Sequence, residues 1–109
     1  MATTLTKQPS SVTGLNPAYT AADATGVNIP NDGRTALHVK NASAGAITVT
    51  MRATTNYFDG VKRDIQIAIP AGGERLIKPA EANYFADGSG LTLFDFSAVA
   101  SVTVAALSL

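Results

Sequence analysis

Residues 35–52, TALHVKNASAGAITVTMR, form the most regularly patterned stretch of this 109-residue chain. Apolar and polar side chains alternate in both halves, with Leu37 and Val39 in the first half and Val49 and Met51 in the second. A period of two is typical of a strand that turns one face to a core and the other to water. The segment between the halves is small and polar and ends in glycine, so the stretch predicts a β-hairpin.

Elsewhere in the chain, strand-like segments are separated by turns that contain glycine. The predicted strands are Val61–Pro70, Glu74–Lys78, Leu91–Phe96 and Ala100–Leu109, and the segment from Tyr19 forms either a short turn or a first edge strand that ends near Val27–Ile29. Charge flanks Glu74–Lys78 on both sides, which predicts an edge position, whereas apolar residues on both faces of Leu91–Phe96 predict a central or covered one. A single helical turn is predicted at Pro79–Phe85, since proline favours the first position of a helix. Because the chain has neither a βαβ rhythm nor a solenoid repeat, the sequence predicts an all-β fold. It is a small antiparallel β-sandwich or jelly-roll-like barrel of six to seven strands.

Length and composition limit the class of protein. A chain of this length suits one domain, and its 8 basic and 8 acidic residues cancel, so no net field attracts nucleic acid or an anionic membrane. Cysteine is absent, which removes disulfides and thiolate chemistry. The chain starts without the apolar core of a signal peptide, and its uncharged C-terminal tail, Phe96–Leu109, is shorter than the roughly 20 residues that span a bilayer. We therefore expect a soluble protein made in the cytoplasm.

The first 31 residues differ from the rest in composition. They contain only two charged residues, Lys7 and Asp23, and are rich in Ala, Thr, Ser, Asn and Pro. The sequence predicts an extended N-terminal arm over residues 1–31 and a β-sandwich domain over residues 32–109. Apolar residues recur along the arm and are predicted to contact a neighbouring subunit or partner: Leu5, Val12, Leu15 and Tyr19. The alternative is a loose terminus, since chain ends are commonly poorly ordered.

Two adjacent aromatic residues, Tyr57 and Phe58, lie in the predicted loop 53–60. Exposed aromatics in a loop can form a contact surface for a partner, and we include both as candidate binding residues. The alternative is that they fold back to cover the core.

No stretch of the sequence has the pattern of a catalytic or metal site. The single histidine, His38, is predicted on the outward face of its strand and has no second histidine with which to bind a metal. Ser89 lacks the flanking glycines of a nucleophile elbow, although the members of a Ser-His-Asp triad need not be adjacent. Asn41 begins a glycosylation triplet, which we interpret as a chance match. We predict a protein that is not an enzyme and uses no cofactor or metal.

Short runs of the sequence resemble the head decoration, or cement, proteins of tailed bacteriophages. They are Ala21–Asn41, Ala46–Thr50, Ile69–Ile77 and Ser101–Leu107. The likeness extends over most of the chain from residue 21 onward, and its motifs are short and made of common residues. Decoration proteins are compact β-sandwiches or jelly rolls that bind the outside of an assembled capsid.

The resemblance implies a partner, an assembly and a location. Decoration proteins commonly bind the major capsid protein as homotrimers at three-fold and quasi-three-fold positions, often with a terminal arm that grips the capsid or a neighbour. The expectation is a capsid-stabilising virion protein on the capsid exterior, made in the host cytoplasm. The low-charge segment 1–31 is the natural candidate for such an arm.

Two other classes remain open at this point. One is a tail, head–tail connector or fibre-associated structural protein, since such parts share small β-sandwich folds. The other is a carbohydrate-binding adhesive module, for which Tyr57, Phe58 and Tyr84 could supply stacking surfaces. The absence of tryptophan and the aromatic content of only 6% argue against sugar binding.

Overall fold

The computed structural model describes residues 3–54, 60, 64–80 and 82–108. Within them the chain forms ten strands and one short helix. In chain order they are β1 (Thr3–Thr4), β2 (Gln8–Pro9), β3 (Thr20–Ala21), β4 (Val27–Pro30), β5 (Thr35–Asn41), β6 (Ile47–Met51), β7 (Ile65–Ile69), β8 (Glu74–Ile77), α1 (Ala82–Phe85), β9 (Leu91–Phe96) and β10 (Val102–Ser108).

The strands form two sheets that pack as a β-sandwich. Sheet I has the order β1-β4-β9-β6-β7, and sheet II has the order β2-β10-β5-β8, with β3 also pairing with β10. The predicted all-β, sandwich-like class is confirmed. The strand count differs from the predicted six to seven because three N-terminal strands have only two residues each, too few to display a period of two. Two of these short strands pair in parallel, β1 with β4 and β2 with β10, and all other pairs are antiparallel.

The predicted hairpin of residues 35–52 is wrong. Strands β5 and β6 do form, and each buries every second residue as its alternation predicts. They do not pair with each other, because β5 lies between β10 and β8 in sheet II and β6 lies between β9 and β7 in sheet I. The segment 42–46 therefore crosses from one sheet to the other, and the apolar faces of β5 and β6 meet across the core.

Asn41 holds this crossing in place. Its side chain is buried, and its amide nitrogen donates to the carbonyl oxygens of Gly45 at 2.9 Å and Pro70 at 3.1 Å. Its amide oxygen accepts from the backbone N–H and the hydroxyl of Ser43, at 3.1 and 2.6 Å. One side chain thus joins the end of β5 to the turn that follows β7. Since every hydrogen bond of this amide is internal, the triplet that Asn41 begins has a structural role.

Later predictions for individual elements are confirmed where the structure describes them. Strand β8 is the edge strand of sheet II and β9 is interior to sheet I, as predicted, and the C-terminal strand β10 is held in sheet II, between β2 and β5. The helical turn forms at Ala82–Phe85. The predicted strand 61–70 is observed from Ile65 onward, and its first residues lie outside the described residues.

The segment predicted as an N-terminal arm is extended, but it lies against its own sandwich. Val27 and Ile29 are fully buried, and their strand, β4, pairs with β9 inside sheet I. Gly26 precedes this strand with φ +113°, and a Cβ there would approach the side chain of Leu93 to 2.7 Å. The break in composition at residue 31 is therefore not where the sandwich begins.

Residues 3–26 cover one open side of the sandwich. Along this stretch the chain pairs first with sheet I and then with sheet II. Strand β1 flanks β4 at the edge of sheet I, and β2 then flanks β10 at the edge of sheet II. After β2 the chain forms a loop and returns as β3, which pairs with the first residues of β10. It then crosses back to sheet I as β4. Apolar side chains from both sheets and from α1 fill the space between, and the largest of them are Phe85 of α1 and, from the strands, Phe94, Ile29, Leu37 and Ile69. No helix among the described residues is long and apolar enough to cross a membrane.

Candidate functional site

A loop projects from the sandwich between β2 and β3, and we call residues 9–17 the Val12 loop. Its two ends are joined by the side chain of Gln8, which donates to the carbonyl of Ala18 at 2.8 Å and accepts from its N–H at 2.9 Å. At its tip the N–H of Gly14 donates to the carbonyl of Ser11, and Gly14 has φ +94°. Val12 is fully exposed at this turn. A large apolar side chain in that position is costly to hydrate unless something covers it.

A groove of about 460 Å³ lies beside this loop on the outer face of sheet II. Its apolar lining comes from three strands and the loop: Ala36 of β5, Leu76 of β8, Leu107 of β10 and Leu15. Two cationic residues, Arg34 and Lys78, also line it. Leu76 leaves 64% of its surface exposed, so it adds apolar surface to the groove. Because the groove is open and apolar, it is suited to contact with another molecule.

A polar cluster adjoins the groove on the same face. The hydroxyl of Tyr19 lies 2.6 Å from His38 Nδ1, and His38 Nε2 lies 3.0 Å from Glu74 Oε1. Lys40 Nζ lies 4.0 Å from the centre of the Tyr19 ring, a cation–π contact. With neutral His38, these distances fit a hydroxyl that donates to Nδ1 and an Nε2–H that donates to the carboxylate. The register pairs His38 with Leu76 across β5 and β8, so the cluster and the groove form one continuous surface.

Two carboxylates fasten the N-terminal segment to the sandwich. The Thr25 N–H, followed by the Thr3 hydroxyl at 2.7 Å, lowers the pKa of Asp23 from its ordinary 3.8 to about 2. The Arg34 N–H, at 2.9 Å, followed by the Lys7 ammonium, at 3.0 Å, holds the pKa of Asp32 well below its usual range. In both cases donors that stabilise the charged form are the cause. Thr3 and Lys7 thus link the first residues of the N-terminal segment to the loops before and after β4.

The structure places the predicted contact residues in different environments. Leu5 is 9% exposed and packs in the core, so its surface is already covered by its own chain. Tyr19 lies on His38, Leu15 lines the groove, and Val12 is exposed at the loop tip. Leu15 and Val12 belong to the same loop, and of these two residues it is Leu15 that lines the groove.

The aromatic candidates are less informative. Tyr57 and Phe58 lie outside the described residues. Tyr84 is partly buried against the core, so its ring has less surface for stacking than the sequence suggested.

Sequence reasoning missed Leu76, Lys78 and Glu74 as members of this surface. The sequence contained a signal, because Glu74, Leu76 and Lys78 occupy alternate positions of the predicted edge strand 74–78 and therefore share one face. That pattern resembles an ordinary solvated edge, and only the sheet order brings it beside His38 and the Val12 loop.

The chemistry of the surface is suited to binding. Among the described residues no group of three or more His, Asp or Glu side chains is placed to hold a metal ion. The Tyr19–His38–Glu74 hydrogen bonds join the N-terminal segment, β5 and β8, and so make the face a single unit. Among the described residues of this surface, Leu76 and Val12 are the large apolar side chains that stay exposed.

Comparison of the chain with protein-family models, with curated proteins and with solved structures finds no significant match. The fold and the surface therefore define the class: a small all-β sandwich with an apolar groove and a projecting loop on one sheet face.

Proposed function

We propose that this chain is a structural protein of a bacteriophage virion that binds the outside of the assembled head and stabilises it. The observation that carries the proposal is the exposed Val12 tip beside the apolar groove lined by Leu15 and Leu76. These features form a ready contact surface on a small protein in which only 15% of the residues are charged. The resemblance of its short motifs to decoration proteins supplies the identity of the partner, the major capsid protein.

The proposed mechanism is thermodynamic linkage. A protein that binds only the expanded capsid lattice stabilises that lattice in proportion to its occupancy. Many copies around a shell make the effect large even when each copy binds weakly, particularly if copies act together as trimers. No catalytic step is required, and the role is mechanical.

The Val12 loop gives this mechanism a low entropic cost. Because Gln8 bonds to both backbone groups of Ala18, the neck of the loop is already closed before a partner binds. Burial of one fully exposed valine is worth on the order of 1.5 kcal/mol per copy. A preformed loop retains more of that free energy than a segment that must order on binding.

The test is electron cryomicroscopy of native complexes isolated through an affinity tag fused after Leu109. Sandwich-shaped knobs on the outer head surface, grouped in threes with the Val12 loop against the shell, support the proposal. Density in the tail or the connector would overturn it and favour the tail-protein class. Recovery without any particle would favour a free-standing binding module.

A matched pair of variants tests the surface itself. Val12→Asp adds one charge at the loop tip, and Ala71→Asp adds one charge at another exposed turn, between β7 and β8. We expect Val12→Asp to lower the occupancy of heads by about tenfold or more, because a carboxylate would be buried, and Ala71→Asp to bind normally. Equal occupancy for the two variants would show that the Val12 loop is not the contact.

A further inference from the structure

Strand β8 has one open edge. It pairs with β5 along one side, and no other strand pairs with its opposite side among the residues that the structure describes. The Asn41 N–H donates to the carbonyl of Gly73 at 2.9 Å, which fixes the alternation of the ladder. Residues 73, 75 and 77 thus direct their backbone groups to β5, and residues 74, 76 and 78 direct theirs outward.

The side chains at this edge form a simple pattern. Glu74, Leu76 and Lys78 all lie on the outer face of sheet II, with an acid, an apolar residue and a base at successive positions. Leu76 is 64% exposed at the centre. Such a pattern is self-complementary, because an antiparallel copy places the acid of one strand opposite the base of the other.

Hydrogen bonding between two open edges restricts the possible registers. Antiparallel pairing of two β8 edges must align outward-facing residues with each other, so a two-fold axis can pass through Arg75, Leu76 or Ile77. An axis at Arg75 places two guanidinium groups opposite each other, which is unfavourable. An axis at Ile77 leaves Glu74 without a cationic partner. Only an axis at Leu76 aligns Glu74 with Lys78 of the other copy, twice, and Leu76 with its own equivalent.

We propose that β8 pairs antiparallel with β8 of a second copy of this chain, with Leu76 on the two-fold axis. Sheet II then continues across two molecules, and the exposed Leu76 side chains cover each other. The outward carbonyl of Glu74, which now accepts from the Arg75 guanidinium at 2.7 Å, exchanges that bond for a backbone N–H of the second copy. The contact is short, so association is weak and depends on concentration. It concerns the free protein, and because Leu76 also lines the groove, dimerisation and attachment to a virion would compete for this side chain.

The first test uses charge variants in sedimentation velocity over a series of concentrations. The unchanged chain passes from a mass of 11.2 kDa to twice that mass as its concentration rises. Glu74→Lys and Lys78→Glu each replace two attractive pairs with two repulsive ones, so each alone weakens dimerisation by about tenfold or more. An equimolar mixture of the two variants restores dimers, as does the double variant that carries both changes.

The mixture separates this contact from indirect effects. Glu74→Lys also removes the hydrogen bond of Glu74 with His38, whereas Lys78→Glu leaves that bond in place. Recovery on mixing requires position 74 of one copy to face position 78 of the other. The proposal would be overturned if both single variants dimerised as readily as the unchanged chain. It would also be overturned if mixing the two variants did not restore the dimers that each variant alone had lost. A chain that stays monomeric at all concentrations, or that forms only trimers, would also overturn it.

A cross-linking test addresses the axis directly. The chain has no cysteine, so Leu76→Cys introduces a single thiol, and Val12→Cys is the matched control at an exposed site outside the contact. Paired residues at a two-fold axis have Cα atoms about 5.5 Å apart, within the range that a disulfide bridges. We expect mild oxidation to link Leu76→Cys chains rapidly and Val12→Cys chains slowly. Equal rates for the two variants would contradict the proposed axis.

Discussion

A single buried side chain, that of Asn41, stabilises the crossing between the two sheets. The amide of Asn41 satisfies backbone groups on both sides of the crossing between the sheets, and the side chain has no contact with water. A buried amide of this kind stabilises because its loss leaves several backbone groups without partners.

Asn41→Ala should therefore lower the free energy of unfolding by about 1–3 kcal/mol. The measurement is urea denaturation followed by circular dichroism. Asn16→Ala, at an exposed position in the Val12 loop, is the control and should change stability little. If the two variants were equally stable, the hydrogen bonds of Asn41 would contribute nothing net.

At the scale of the elements, strand β4 links the N-terminal segment to the core. Its buried residues Val27 and Ile29 pack between the sheets, whereas β1, β2 and β3 contribute only edge pairs. Residues 1–31 thus contain one element that the sandwich needs and several that only border it.

Two truncations should separate these contributions. A chain that begins at Thr20 keeps β3 and β4 and should fold with reduced stability, since it loses the burial of Leu5, worth about 1.5–3 kcal/mol. A chain that begins at Asp32 loses β4 and should not fold. Amide proton dispersion in NMR spectra distinguishes the two outcomes. A folded chain from Asp32 onward would mean that the core does not need β4.

The alternation in β5 and β6 was enough to predict which side chains of each strand are buried, and the class of fold followed. It was not enough to predict their partners, because a period of two specifies a face and leaves the neighbouring strand undetermined. The bonds that Asn41 makes to Gly45 and Pro70 depend on contacts that no local pattern encodes. The same reason explains why the Tyr19–His38–Glu74 cluster, which joins three separate segments, was not predicted from the sequence.

At the scale of the whole molecule, two carboxylates that contact the N-terminal segment make stability sensitive to acid. The folded-state pKa of Asp23 and that of Asp32 are both lowered, so each carboxylate contributes stability above its ordinary pKa. That contribution is lost as the pH falls from about 4 through the folded-state pKa, which for Asp23 is about 2.

Thermal unfolding should accordingly show a melting temperature that falls between pH 4 and pH 2. The variant that combines Asp23→Asn with Asp32→Asn should melt lower than the unchanged chain at pH 6, and its melting temperature should depend less on pH over the acidic window. Parallel curves for both proteins in that window would assign the acid sensitivity to other groups.

The closed neck of the Val12 loop also matters for protein engineering. Since one glutamine side chain holds the two ends of the loop at Ala18, the path between them can lengthen without a change in the strands on either side. A peptide inserted after Val12 would lie away from the core and clear of the β8 edge, in the loop that we propose contacts the head, so the fold should tolerate it and attachment should weaken. The chain thus contains a position at which the length of one loop can change while the two sheets stay as they are.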